Sequence, residues 1–157
     1  MMSERKRRNV SELKGAYERR VFVGGSYQDT KRSLLDDLAA VVRKERFVPV
    51  IADEYRIVDK SLHDQTLSLL HACRYAVFEA SDLSGALMEI ERTRDYGTRT
   101  LILFRGVSGA DWQVSRMLNS FVTAGDPMVK VSAYMRPTTA VGNVRRWLVA
   151  MRRRLYE

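Results

Sequence analysis

Disulfide chemistry is closed to this sequence. Cys73 is its single cysteine and stands in an apolar stretch of helical pattern, so no internal bridge is expected and a reducing, cytoplasmic setting is the natural one. No uninterrupted apolar run approaches the ~20 residues of a membrane span. The leader MMSERKRRNV has the charge of a signal-peptide n-region without an apolar h-region after it, so a soluble protein with no membrane partner is expected. The only two histidines, His63 and His71, have no cysteine or acid cluster arranged around both, which argues against a bound metal. Walker A, G-x-S-x-G and H-E-x-x-H are all missing, which removes the phosphate-loop NTPase, serine hydrolase and zinc protease readings. A dinucleotide fingerprint fails as well, because Gly24-Gly25 is followed by Ser-Tyr-Gln-Asp-Thr with no third glycine. Asp53 alone resembles a ribose-binding acid, and nothing in the chain calls for a cofactor.

What the sequence does hold is enough apolar material for one core: 157 residues at 45% hydrophobic content. Its net charge of +8 favours anionic partners. The cations gather at the two ends, Arg5 to Arg8 in the leader and Arg145, Arg146, Arg152, Arg153 and Arg154 in the tail. In the tail, Val144, Trp147, Leu148, Met151 and Leu155 recur at helical spacing, which puts the arginines on the opposite, wet face of a packed helix. With no recognised binding motif beside them, they read as a solvated face in preference to a nucleic-acid surface.

Strand-length apolar runs alternate with helical patterns along the rest of the chain. The runs Arg20–Gly24, Phe47–Ile51, Tyr75–Glu79, Thr100–Phe104 and Met128–Val131 predict strands, and Lys31–Glu45, Ser61–Cys73, Gly85–Tyr96, Ala110–Val122 and Thr139–Tyr156 predict helices. This alternation predicts an α/β domain with a doubly wound, five-stranded parallel sheet in the flavodoxin/Rossmann-like order 2-1-3-4-5 and helices on both faces. Residues 1–18 read as a basic N-terminal extension, helical near Val10–Tyr17, and 19–157 as the domain.

In such a sheet, ligands sit beyond the carboxyl ends of the strands, beside the switch point between the first and third. Three loops rich in small residues converge there: Gly24 to Ser26, Asp82 to Ala86 and Gly106 to Ala110. Gly24 and Gly25 are expected to let the backbone approach a ligand, and Ser84, followed by Gly85, to cap a helix whose free N–H groups hold an anion. Glu89 then falls in the second turn of that helix. An ionised carboxylate beside a sugar-binding cleft can attack an anomeric carbon.

The segment GALMEIERTRDYGTRTLILF resembles the Gly-Thr-Ala-x-Glu-hydrophobic stretch of the nucleoside 2-deoxyribosyltransferases. It is closer still to their 2′-deoxynucleoside 5′-monophosphate N-glycosidase relatives, in which a strand ending Leu-Phe-Arg and then Ser-Gly follow, as Leu103, Phe104, Arg105, Ser108 and Gly109 do here. The resemblance spans about Val21 to Asn119. It implies that Glu89 is a nucleophile, and that Gly25, Ser26 and Tyr27 line a nucleotide. It puts Ser84 or Ser81 near the 5′-phosphate, and has Ser115 supplied to that phosphate across a homodimer interface. The family's helix-2 aspartate falls at Gln65, one position from Asp64, which is the acid expected to assist. VFVGGSYQD also looks like the start of a Toll/interleukin-1 receptor (TIR) domain, some of which cleave NAD with a glutamate on a comparable helix. The implied function is a nucleotide N-glycosidase or deoxyribosyltransferase, with a TIR-like NAD hydrolase or a catalytically inactive nucleotide-binding sensor as alternatives.

Overall fold

The computed structural model describes residues 8–9, 13–25, 29–56, 60–81, 83–106 and 128–155. Val21, Phe22 and Val23 are apolar on both sides of an extended chain, which suits only a strand covered on both faces. They form the centre of β1 (Arg20–Gly24), and α1 (Asp29–Lys44) and β2 (Val48–Val50) follow it. Next come α2 (Leu62–His71), β3 (Tyr75–Glu79), α3 (Leu83–Tyr96), β4 (Arg99–Arg105), β5 (Val129–Tyr134) and α4 (Pro137–Leu155). All five strands are parallel, in the order 2-1-3-4-5, as the sequence predicts. The helix expected over Ala110–Val122 lies outside the described residues.

The period-two alternation of the strands sorts their side chains into two cores. Val21, Val23, Tyr75, Val77, Leu101 and Leu103 meet α1 and α4, where Leu38, Val42, Val144, Trp147 and Leu148 close the layer. Phe22, Ala76, Phe78 and Ile102 face the other way, toward Leu69 and Leu70 of α2 and Ile90 of α3. Tyr75 anchors the first core through edge-on contacts with Phe47 and Trp147, their centroids 5.6 and 5.9 Å away. Cys73 is buried in the second core, and burial pushes its thiol up to about 12. Among the described residues no helix is long and apolar enough to cross a membrane.

The N-terminal extension is tied to the domain. Arg8–Asn9 pairs in parallel with Tyr55–Arg56, and Leu13 packs against the second core. Helix does not form at residues 13–16, contrary to the expectation over Val10–Tyr17. Gly15 has φ +78°, and a Cβ there would meet Val48 Cγ2 at 2.7 Å, so the chain turns where a helix would continue. Arg20 holds that turn by donating to the carbonyls of Lys14, Gly15 and Ala72. At the far end of α1 the residue in the left-handed position is Arg46, φ 68°, where helices commonly place glycine. The amides of Arg46 and Phe47 close that end on the carbonyls of Arg43 and Val42.

The first turns of α1 carry a buried cation. Arg32 is 4% exposed and forks onto Asp53, with Nε–Oδ2 and Nη2–Oδ1 both 2.9 Å. It also donates to Asp36 at 2.6 Å and Glu54 at 3.2 Å, locking α1 to the turn after β2. Asp53 is therefore committed to this pair, which answers the ribose-acid resemblance of its position. Arg32→Ala should lower stability by about 1.5–3 kcal/mol, the range for hydrogen bonds to charged groups. Chemical denaturation with an unchanged m-value would confirm it, and an unchanged midpoint would count against the clamp.

Candidate functional site

The carboxyl ends of β1, β3, β4 and β5 lie side by side, and two buried or half-buried carboxylates occupy that edge. Glu79 ends β3 on the α1/α4 side at 5% exposure. It accepts hydrogen bonds from the Ser81 amide at 2.9 Å and from the Ser81 hydroxyl. The Ser81 hydroxyl also accepts from the Arg105 amide at 2.8 Å, which stitches the loop after β3 to the end of β4. Tyr134 completes the group from β5: burial, together with the neighbouring Glu79 charge, pushes its phenol up to about 12. Sequence reading missed Glu79 and Tyr134. Both sit at strand ends between apolar neighbours, Phe78 and Ala80 for one and Ala133 and Met135 for the other, and only strand adjacency brings them together.

Glu89 stands in the second turn of α3, which begins at Leu83. Ser84 is thus the helix's second residue and not its cap, and Ser84 and Gly85 share the first turn, whose amides have no earlier helical carbonyl to bond. Glu89 is half-buried, and its Oε2 atom is buried with no hydrogen-bond partner among the described residues. Burial holds its carboxyl above the ordinary glutamate range, while its own backbone amide and the nearby His63 imidazole act in the opposite direction. His63 comes from the first turn of α2, which packs beside α3. A histidine eight residues from its fellow gave no metal signal, and its proximity to Glu89 depends on helix packing that no local pattern reveals.

Asp64 is placed differently from the partner role expected of it. Ser61 caps α2 and accepts from the Asp64 amide at 3.2 Å, which leaves the Asp64 side chain exposed, and no hydrogen bond or ion pair joins it to Glu89 among the described residues. Gln65 turns inward and donates to the Tyr55 carbonyl at 2.6 Å, where it supports the fold. Ser26, Tyr27 and Ser115 lie outside the described residues. Among the described residues no group of three or more His, Cys, Asp or Glu side chains is arranged to hold a metal.

Gly24 has a packing reason. A Cβ there would meet the rings of Phe22 and Phe78 at 2.8 Å, so the space a side chain would fill belongs to the second core. Gly25 differs: its Cβ position abuts Leu35 at 3.1 Å and the Glu79 carbonyl at 3.2 Å, which brings the chain turning off β1 directly over Glu79. Gly24→Ala should therefore lower the melting temperature with no nucleotide present, by the equivalent of about 1–3 kcal/mol of overpacking. An unshifted melting curve would return that glycine to a purely ligand-facing role.

The Tyr134 phenol predicts a pH dependence. Its folded pKa lies above the ordinary value of 10, so its contribution is complete below pH 10 and is lost as pH rises toward about 12. Tyr134→Phe should flatten the loss of stability in that window, measured by denaturant midpoints at stepped pH. A slope identical to that of the parent would show that Tyr134 ionises freely in the fold. No protein-family model matches this sequence, and no curated protein matches it either.

Proposed function

We propose that this protein is an N-glycosidase acting on a nucleoside 5′-monophosphate, with Glu89 as its nucleophile. The observation that carries the reading is the buried Oε2 of Glu89 in the second turn of α3, which has no partner among the described residues. A buried carboxylate oxygen without a partner is costly unless something completes it. A developing positive charge at an anomeric carbon is such a complement. The resemblance of GALMEIE to the deoxyribosyltransferase glutamate motif supports the same assignment.

The chemistry follows from the side chains. Glu89 attacks C1′ of the bound nucleotide, the C1′–N bond breaks, and its electron pair leaves with the base. His63, when protonated, is the nearby group able to give the leaving base a proton. The glycosyl ester is then opened by water, which returns the Glu89 carboxylate and releases a sugar phosphate. A second base in place of water would make the same site a transferase. The phosphate is served by the first-turn amides of α3, with Ser84 and Gly85, and by Arg105, an exposed cation at the end of β4. The same resemblance supports a homodimer in which Ser115 reaches the neighbouring site, and the single, buried Cys73 supports a reducing, cytoplasmic setting.

The test is base release from a panel of nucleoside monophosphates, nucleosides and NAD. Release from monophosphates in preference to nucleosides is expected. Release of nicotinamide alone would favour NAD hydrolysis, and tight nucleotide binding without any release would favour a sensor. Glu89→Gln should reduce turnover by several orders of magnitude at saturating nucleotide. The same change should raise stability at neutral pH, because a carboxyl held above its ordinary 4.5 contributes stability at low pH that is lost as pH rises through its folded value. The gain in melting temperature should shrink toward pH 4, where the native side chain is protonated. Undiminished base release by a folded Glu89→Gln would overturn the mechanism.

A further inference from the structure

The edge of the sheet opposite the candidate site is crowded with arginine. Arg19 precedes β1, Arg74 precedes β3, Arg99 opens β4, and Arg154 is in the last turn of α4. The register sets Val21, Tyr75 and Arg99 side by side at the starts of three adjacent strands, and the Tyr75 phenol lies within electrostatic reach of all four arginines. Arg43 and Lys44 at the end of α1, Arg46 just beyond it, and Arg153 extend the same surface and are exposed. Among the described residues the carboxylates nearby are few. Glu45 is answered by Arg145 at 3.2 Å and Arg152 at 3.3 Å, and Asp95 by Arg92 at 3.5 Å, while Glu18 is exposed. No ion pair engages Arg43, Arg46, Arg153 or Arg154 among the described residues.

Helix dipoles account for part of this. The C-terminal ends of α1 and α4 favour cations in their last turns. They do not account for Arg19, Arg74 and Arg99, which sit at strand starts. Nor do they explain Arg46, which holds a left-handed backbone position that glycine fills with less strain. Two of the guanidiniums are fixed in place by aromatic rings, Arg19 over Phe47 at 5.8 Å and Arg74 over Tyr75 at 5.7 Å, so little order would be lost on engaging an anion.

The large exposed apolar side chains among the described residues are Tyr17, Leu62 and Met135, and of these Tyr17 belongs to the arginine edge. It is 42% exposed, and its carbonyl accepts from the Arg74 amide at 3.3 Å. A membrane-binding face would add several apolar side chains to its cations. One exposed aromatic ring among fixed guanidiniums matches a different ligand, a phosphodiester chain whose bases stack on the ring.

We propose that the arginine edge around Tyr17, Arg74 and Arg154 is a binding surface for single-stranded nucleic acid. The guanidiniums contact successive phosphates and Tyr17 stacks on a base. The surface lies at the opposite edge of the sheet from Glu89, so its occupancy and base release are separate measurements.

Fluorescence anisotropy of the full chain with a labelled 15-nucleotide oligothymidylate, titrated from about 50 to 200 mM salt, tests the proposal. Binding at the lowest salt is expected. In the combined variant Arg43→Gln, Arg153→Gln, Arg154→Gln, which leaves the strand-start arginines in place, the affinity should fall at least tenfold. The slope of log affinity against log salt should drop by about 2, at ~0.7 for each phosphate that is no longer neutralised. Tyr17→Ala should weaken binding about fivefold or more with the slope unchanged. Melting curves of both variants control for folding. No binding at low salt, or unchanged affinity in the folded triple variant, would overturn the proposal. An unaffected Tyr17→Ala would overturn the single-strand assignment. Co-sedimentation with anionic phospholipid vesicles without oligonucleotide binding would assign the edge to a membrane and overturn it equally.

Discussion

Every strand of the sheet runs in the same direction, and that constraint sorts the connections of the molecule into two sets. A parallel sheet forces the chain to return across one face after each strand. All strand-to-helix turns then gather at one edge, and all helix-to-strand turns gather at the other. The first edge receives helix beginnings with their unpaired N–H groups, and carries Glu79, Glu89 and Arg105. The second receives helix ends with their unpaired carbonyls, and carries Arg74, Arg99 and Arg154. The topology therefore holds the helix beginnings near Glu79 and Glu89 apart from the helix ends near Arg74, Arg99 and Arg154.

Three buried or half-buried charges show different solutions to desolvation. Arg32 is surrounded by Asp36, Asp53 and Glu54, so its charge is matched and its geometry serves to fix α1 against β2. Glu79 has hydrogen bonds from Ser81 and a phenol beside it, so its charge is spread through a small network that closes the loop after β3. Among the described residues Glu89 has neither for its Oε2 atom. The first two arrangements are sufficient in themselves, and the third is incomplete. This contrast is the reason the proposed activity is assigned to Glu89 and not to the more deeply buried Glu79.

The strands were the most legible part of the sequence. Arg20–Gly24 and Tyr75–Glu79 form over the residues that their apolar runs mark, because a strand buried on both faces leaves few polar positions to confuse its limits. The helix ends were less so. Ser84 looked like a cap, yet α3 begins at Leu83, since small polar residues are compatible with both a cap and a first turn. Gly24 looked like a ligand-facing residue because a glycine's neighbours in space are invisible in sequence, and here they are Phe22 and Phe78. For the candidate site, Glu89 was marked by its place in the helix pattern together with the resemblance of its segment to the deoxyribosyltransferase motif. Its neighbour His63 and the Glu79–Ser81–Tyr134 group could be found only through packing between elements far apart in the chain. The tail arginines read as one wet helical face for the same reason. Arg145 and Arg152 reach back to Glu45, while Arg154 lies within electrostatic reach of Tyr75, as Arg19, Arg74 and Arg99 do.

The distribution of charge also constrains how an anionic nucleotide would reach Glu89. The net charge of +8 draws anions toward the protein as a whole, but much of that positive field originates at the far edge. At the near edge Asp36, Asp53 and Glu54 outnumber the one guanidinium they surround, and Glu79 and Glu89 add to the local negative potential. A phosphate is therefore not held there by a broad cationic field. In the proposed reading it would be held by short-range groups, the first-turn amides of α3 and Arg105, which act only when a phosphate is in register. A site of that kind would discriminate by position more than by charge. The placement of the phosphate would then set where C1′ lies along α3, and a nucleotide whose phosphate sits one turn away would present a different atom to Glu89.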